Sequence, residues 1–169
     1  MTESQRRTLE TTMLAEARED VLKADQKASM VLAALGIAIG AVLGGVLAGD
    51  WDPTEDLTTG GQVGWWLATA AVTSGLVLAG MAVWPRFNGA DGSAGIYYWA
   101  HIASFDSLSA LAAALDADPP DLDDRTRNQM WSLARIVKRK YVLIRWAMGS
   151  AGAGAFLATA TLVIDGLAR

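Results

Sequence analysis

The sequence predicts an all-α integral membrane protein, with three transmembrane helices and a cytoplasmic helical domain. That domain is made by the N-terminal helix and a helical hairpin between spans 2 and 3. Three observations carry the expectation. Two uncharged apolar runs, Ala28–Gly49 and Val63–Trp84, are each 22 residues long, and a third lies at Ala147–Ile164. A helix of that length rises about 33 Å, against a hydrocarbon core of about 30 Å. None of the runs has the polar face that a water-exposed helix needs, and Lys and Arg are segregated to particular connections.

Residues 1–27 read as a cytoplasmic amphipathic helix, because Leu9, Met13, Ala17, Val21 and Ala24 recur at helical spacing. Glu19 and Lys23 add a favourable i,i+4 pair. No Gly or Pro separates this stretch from Ala28, so one long helix is expected to start in water and continue as span 1, residues 28–49. Its nine strong apolar residues, Val31, Leu32, Leu35, Ile37, Ile39, Val42, Leu43, Val46 and Leu47, favour insertion by about −3 to −5 kcal/mol before the glycines subtract. Residues 50–62 form a short acidic extracytoplasmic loop, and 63–84 form span 2. Residues 85–142 are the cytoplasmic domain: a linker at Asn88–Gly95, a helix over Ile96–Leu115, a break at Pro119–Pro120, and a second helix with Asp121–Asp124 at its favourable N-terminal end. That second helix is expected to run unbroken into span 3, residues 143–166, leaving 167–169 as an outer tail. Both long helices would then couple cytoplasm to membrane rigidly. Span 3 holds fewer strong residues (Phe156, Leu157, Leu162, Val163, Ile164), worth about −1.5 to −3 kcal/mol, and needs helical partners.

The net charge of −4 hides a strong asymmetry. The loop carries Asp50, Asp52, Glu55 and Asp56 without a Lys or Arg, whereas Arg6, Arg7, Arg18, Lys23 and Lys27 precede span 1. Another basic set runs from Arg86 through Arg125, Arg127, Arg135, Lys138, Arg139, Lys140 and Arg145. Basic flanks stay cytoplasmic, which places the N-terminus on the cytoplasmic side and the C-terminus outside; Arg169 is the one mild exception. Trp51, Trp65, Trp66, Trp84 and Trp146 stand at span ends, where indoles favour the interface. The long polar stretch ahead of a full-length apolar run is unlike a secretory signal. With no Cys there is no disulfide or thiolate chemistry, and a single His makes no zinc cluster.

Gly36, Gly40 and Gly44 form a small-residue seam at four-residue spacing. Ala71, Gly75 and Ala79 form another in span 2, and Ser150, Gly154 and Ala158 a third. Each serves either internal packing or oligomerisation, and three seams on three helices exceed what one small bundle needs. The spans hold no ionisable group at mid-depth, which argues against a coupled transporter or a charged selectivity filter. No P-loop, GxSxG, HExxH or paired-carboxylate signature is present, so no enzyme, cofactor or metal is expected. Nucleic acid is not an expected partner either, since the basic groups hug the membrane in an acidic chain.

Candidate ligand-binding groups are Asp25, Lys27, Tyr98, His101, Arg135 and Lys138. Aromatic rings stack on a base, and cations meet a phosphate. Each has a plainer role beside it: Tyr97, Tyr98 and Trp99 as an interfacial belt, His101 as a packed side chain, Lys138–Lys140 as a topology and anionic-lipid signal. The block Asp20, Lys23, Asp25 and Lys27 is either a solvated stop at the membrane surface or part of a sensor groove.

The run Ala15–Ser29, containing Ala24-Asp25-Gln26-Lys27-Ala28, resembles the start of the Pycsar transmembrane effectors. Tyr97–Ala103 and Lys138-Arg139-Lys140-Tyr141 before the last span add to the resemblance. It implies a membrane effector of antiphage defence in the bacterial inner membrane, and the three seams point to a homo-oligomer. A partner cyclase makes cyclic CMP or cyclic UMP, and the effector responds by compromising the membrane, ending in abortive infection. The resemblance supplies no assigned ligand residues. Two other classes stay open on the residues alone: a membrane anchor or scaffold, and a holin-like toxin with no nucleotide input.

Overall fold

The structure, a computed structural model, describes residues 2–84, 102–117 and 122–168. Among these lie four helices and no strand: α1 (Glu3–Leu47), α2 (Thr59–Val83), α3 (Leu108–Ala117) and α4 (Leu122–Ala168). Stretches Glu3–Leu47, Thr59–Val83 and Asp123–Ala168 are long and apolar enough to cross a membrane. α1 is one helix of 45 residues and α4 one of 47, as the lack of Gly and Pro breaks between their polar and apolar halves predicts.

Local chemistry sets the ends. Thr2 and Gln5 form a reciprocal box at the start of α1: the Gln5 amide donates to Thr2 Oγ1 (3.3 Å) and the Thr2 amide to Gln5 Oε1 (2.8 Å). α1 closes on Gly49, whose φ of 77° suits glycine, with the Asp50 amide reaching back to Gly45 O. α2 starts at Thr59, four residues ahead of the expected span, because Thr58 caps it and accepts from the Gly61 amide. Hydropathy marks where a span is apolar, and the capped first turn is not.

The helix expected over Ile96–Leu115 is not continuous. Residues 104–107 are non-helical and α3 begins at Leu108. The Ser107 hydroxyl accepts from the Ala110 amide (3.1 Å), and the Ser107 carbonyl accepts from the Leu111 amide. A serine that satisfies free N–H groups this way starts a new helix in preference to extending an old one. Apolar spacing reads through such a break unchanged. Residues 96–101, the linker 88–95 and Pro119–Asp121 lie outside the described residues.

The chain divides into two compact units, Met1–Leu22 with Pro85–Lys138, and Lys23–Trp84 with Arg139–Arg169. In the first, the start of α1 runs parallel to the start of α4 and is tied to it by charge. Arg6 and Arg7 reach Asp123 (3.0 and 3.5 Å), Arg127 reaches Glu10 (3.1 Å), and Arg18 donates to Gln129 (3.2 Å). Leu14 is buried on α1.

In the second unit α2 and α4 pack antiparallel through small residues. A Cβ built on Gly75 would stand 2.9 Å from Ala147 O, and one on Gly154 2.9 Å from both Ala68 O and Val72 N. The same register puts Gly64 against Thr161 and Gly61 against Asp165. Thus the Gly75 and Gly154 seams pack on each other's helices. The Gly36–Gly40–Gly44 seam does not take part: a Cβ on any of the three meets nothing within 4 Å. Ala24 and Ala28 of α1, Ala82 of α2 and Ile144 of α4 form a buried cluster with Val83, Tyr141 and Leu143 against it.

Gly75→Leu and Gly154→Leu force a side chain into backbone and should each destabilise the chain by at least the ~1–3 kcal/mol of an overpacked core. Gly36→Leu meets open space and should leave stability unchanged. Thermal unfolding of the detergent-solubilised full chain checks both; equal melting temperatures for Gly75→Leu and Gly36→Leu would contradict the packing.

Candidate functional site

The residues that open the apolar part of α1 face the residues that open the apolar part of α4. Ala24 and Ala28, one helical turn apart, are fully buried and let α4 approach closely. Asp25, beside them, pairs with Lys140, whose side chain is 18% exposed against 39% for Asp25. Lys27 then places its ammonium 5.2 Å from the centroid of the Tyr141 ring. The Ala24–Ala28 motif and Lys140-Tyr141 are therefore two sides of one clasp, Asp25 to Lys140 and Lys27 to Tyr141.

A second polar contact closes the same unit at the connector. Asp165 is 5% exposed, yet it lies in an apolar stretch. Its carboxylate accepts from the Thr58 amide (2.9 Å) and the Thr58 hydroxyl (2.5 Å). It thus serves the free N–H groups at the start of α2, the end at which negative charge is favourable. Gly61 is the residue that leaves room: a Cβ there would stand 2.5 Å from Asp165 Oδ1. Sequence reading missed Asp165. The available signal was a lone acid at the end of an apolar run, but its partner sits 107 residues away.

The connector between these helices is an ordered turn. Asp52 Oδ1 accepts from the amide and the hydroxyl of Thr54, both at 2.7 Å, and Asp56 Oδ2 accepts from the Asp52 amide. The Thr54 hydroxyl, and after it the Thr54 amide, hold the Asp52 carboxyl below its usual pKa. Trp51 and Trp65 stack edge to face there, centroids 4.7 Å apart.

The other candidate ligand groups fall as follows. Arg135 and Lys138 lie on α4 in the first unit, and both are exposed. The Arg135 guanidinium sits 4.6 Å from the Trp131 ring centroid, and Trp131 is itself 56% exposed. Trp131 is a second residue the sequence reading passed over; its i,i+4 spacing to Arg135 was the sign. Tyr98 and His101 lie outside the described residues. In the same unit the Arg6 guanidinium, hydrogen-bonded to Glu3, lowers the Glu3 pKa, and Glu3 in turn raises that of Arg6. Among the described residues no cluster of three or more His, Cys, Asp or Glu is arranged to hold a metal.

The model of the Pycsar effector protein domain matches residues 9–165. The chain belongs to this family. The match takes in both sides of the clasp and the Thr58–Asp165 contact alike. Membership of the Pycsar effector family supports an antiphage effector role, and the three apolar helices suit a transmembrane effector. No curated protein and no solved structure matches the chain.

Asp25→Asn and Lys140→Met should each lower stability, and the double variant should cost less than their sum. A coupling energy of about 1 kcal/mol is expected for a half-buried pair. A double-mutant cycle on the full chain in detergent measures it; additive losses would mean the clasp carries no energy. Asp165→Ala leaves the Thr58 N–H without its acceptor and should cost about 1–3 kcal/mol in the same assay, more than Asp165→Asn, which keeps an acceptor oxygen.

Proposed function

We propose that this chain is a membrane effector of bacterial antiphage defence that senses a cyclic pyrimidine nucleotide, cyclic UMP or cyclic CMP, made by a partner cyclase. On sensing it, the effector breaches the inner membrane and the infected cell dies. The family match over residues 9–165 carries this reading. Three apolar helices supply the means of entering a bilayer. The acidic connector and the basic flanks favour a cytoplasmic N-terminus. The effector itself performs no catalysis in this reading, and it needs no cofactor.

Arg135 and Lys138 are exposed cations available to a phosphate. Arg135 is additionally held against Trp131, so its planar donor set is pre-oriented. Asp25 and Lys27 are already engaged by Lys140 and Tyr141. A ligand reaching them exchanges protein contacts for its own, and can shift the protein only by its differential affinity for the two states. The open Gly36–Gly40–Gly44 face is the surface for a second copy. Glycines there let helix backbones approach, and none of the three meets another part of its own chain.

Cells carrying the chain with its cyclase should lose membrane potential on phage infection, read with a voltage-sensitive dye, and keep it when either gene is absent. Retained potential despite measured cyclic nucleotide would overturn the reading. Arg135→Ala with Lys138→Ala should weaken nucleotide binding at least tenfold, the worth of one charge-assisted hydrogen bond. Gly40→Leu should reduce both the cross-linked oligomer and the depolarisation; if neither changes, the glycine face is not the contact between copies.

A further inference from the structure

The helices of the second unit are packed unevenly: glycines of α2 and α4 stand against each other's helices, whereas those at one end of α1 meet nothing within 4 Å. α2 and α4 touch backbone to side chain along their length, and Asp165 fastens α4 to the first residue ahead of α2. α1 is held at its entry by Ala24, Ala28 and the Asp25–Lys140 pair, and Leu35 is its last buried residue. From Gly36 to Leu47 no residue is buried. At 3.6 residues per turn, Gly36, Gly40 and Gly44 fall on the side of α1 opposite Ala24, Ala28 and Leu35.

The inward side is not closed either. A cavity of about 350 Å³, open to the surface, is lined by Ala41, Val42 and Gly45 of α1 and by Trp51, Trp65 and Leu162. Its lining is apolar, so no buried hydrogen bond spans it. The same segment carries Gly36, Gly40, Gly44 and Gly45, each poorer than Ala at holding a helix. Neither face of this stretch is packed, whereas α2 and α4 keep close contact with each other through Gly61 on Asp165 and Gly64 on Thr161.

We propose that residues 36–47 of α1 are a moving arm. It pivots near Leu35 against a fixed α2–α4 pair, and the cavity is the space it moves through. Helix displacements of this kind fall in the microsecond-to-millisecond range. The arm moves between open and closed positions of the cavity without any ligand, so the motion is read in the purified full chain and does not depend on the nucleotide reading. If a nucleotide does trigger the effector, this arm is the part of the second unit whose equilibrium it shifts.

The chain has no native Cys, so spin labels go where they are put. Three pairs of exposed positions serve: Leu43 with Ile164 across the cavity, Leu67 with Ile164 across the fixed pair, and Met30 with Met148 at the entry. Each pair is changed to Cys, labelled, diluted with unlabelled chain in lipid nanodiscs and measured by double electron–electron resonance. The Leu43–Ile164 distances should spread at least twice as widely as either of the others. Gly45→Leu, which fills the cavity, should return them to the control width. Equal widths for all three pairs overturn the arm. An equally broad Met30–Met148 pair moves the whole of α1 and overturns the pivot. A spread that Gly45→Leu leaves unchanged overturns the cavity as the space used.

Discussion

Close contact between the backbones of α2 and α4 is the constraint on which the second unit depends. Lipid tails are as apolar as leucine, so helices that cross a bilayer gain nothing by hiding apolar surface from one another. What remains is packing, and packing falls off within an ångström of the best separation. Gly75 and Gly154 bring Ala147 O and Ala68 O to positions that any Cβ would occupy. The same register aligns Gly64 with Thr161 and leaves Gly61 small enough to admit the Asp165 carboxylate. Once the two helices are in this register, the Thr58 cap has an outside acceptor and the connector has fixed ends.

The first unit follows another physics. Its α1–α4 contacts are long charged side chains, Arg6 and Arg7 on Asp123, Arg127 on Glu10. Pairs of this kind, half-buried on their acidic side, weaken with salt. Leu14 is the buried apolar residue of its part of α1. The surface of this unit carries large exposed groups such as Trp131 and Arg135, which pack on each other.

Much of this was legible in the sequence, and what was not has a physical reason. The lengths of α1 and α4 follow from the missing Gly and Pro at their polar-to-apolar junctions. The seams on α2 and α4 follow from four-residue spacing, but spacing does not say which seam meets which. Gly36, Gly40 and Gly44 look the same on paper as Ala71, Gly75 and Ala79, yet only the latter face their own chain. The break before α3 hides inside an unbroken apolar rhythm because Ser107 acts through its hydroxyl and not through hydropathy. Asp25 stood out as a carboxylate that insertion does not need, but its partner Lys140 lies 115 residues on, beyond any local pattern. Asp165 was passed over because its partner Thr58 lies 107 residues away, whereas Trp131 stood one helical turn from Arg135 and looked like any apolar position of the stripe.

α4 carries both of the unit's polar fasteners, Lys140 toward α1 and Asp165 toward α2. The 25 helical steps from one to the other rise about 38 Å, and a hydrocarbon core of about 30 Å fits between the two with a few ångströms to spare. A charge is costly at the bilayer centre and much less so near its surfaces. The separation thus lets one helix use strong, specific polar contacts at both ends while its middle relies on glycine and alanine alone. α1 shares only one of these fasteners. Nothing polar holds it to α2 or α4 beyond Lys27, among the described residues, and the glycines that follow Leu35 give up the packing that would replace a second one. A helix pinned at one end beside a pair pinned at both is the asymmetry from which a change of state in this unit would start.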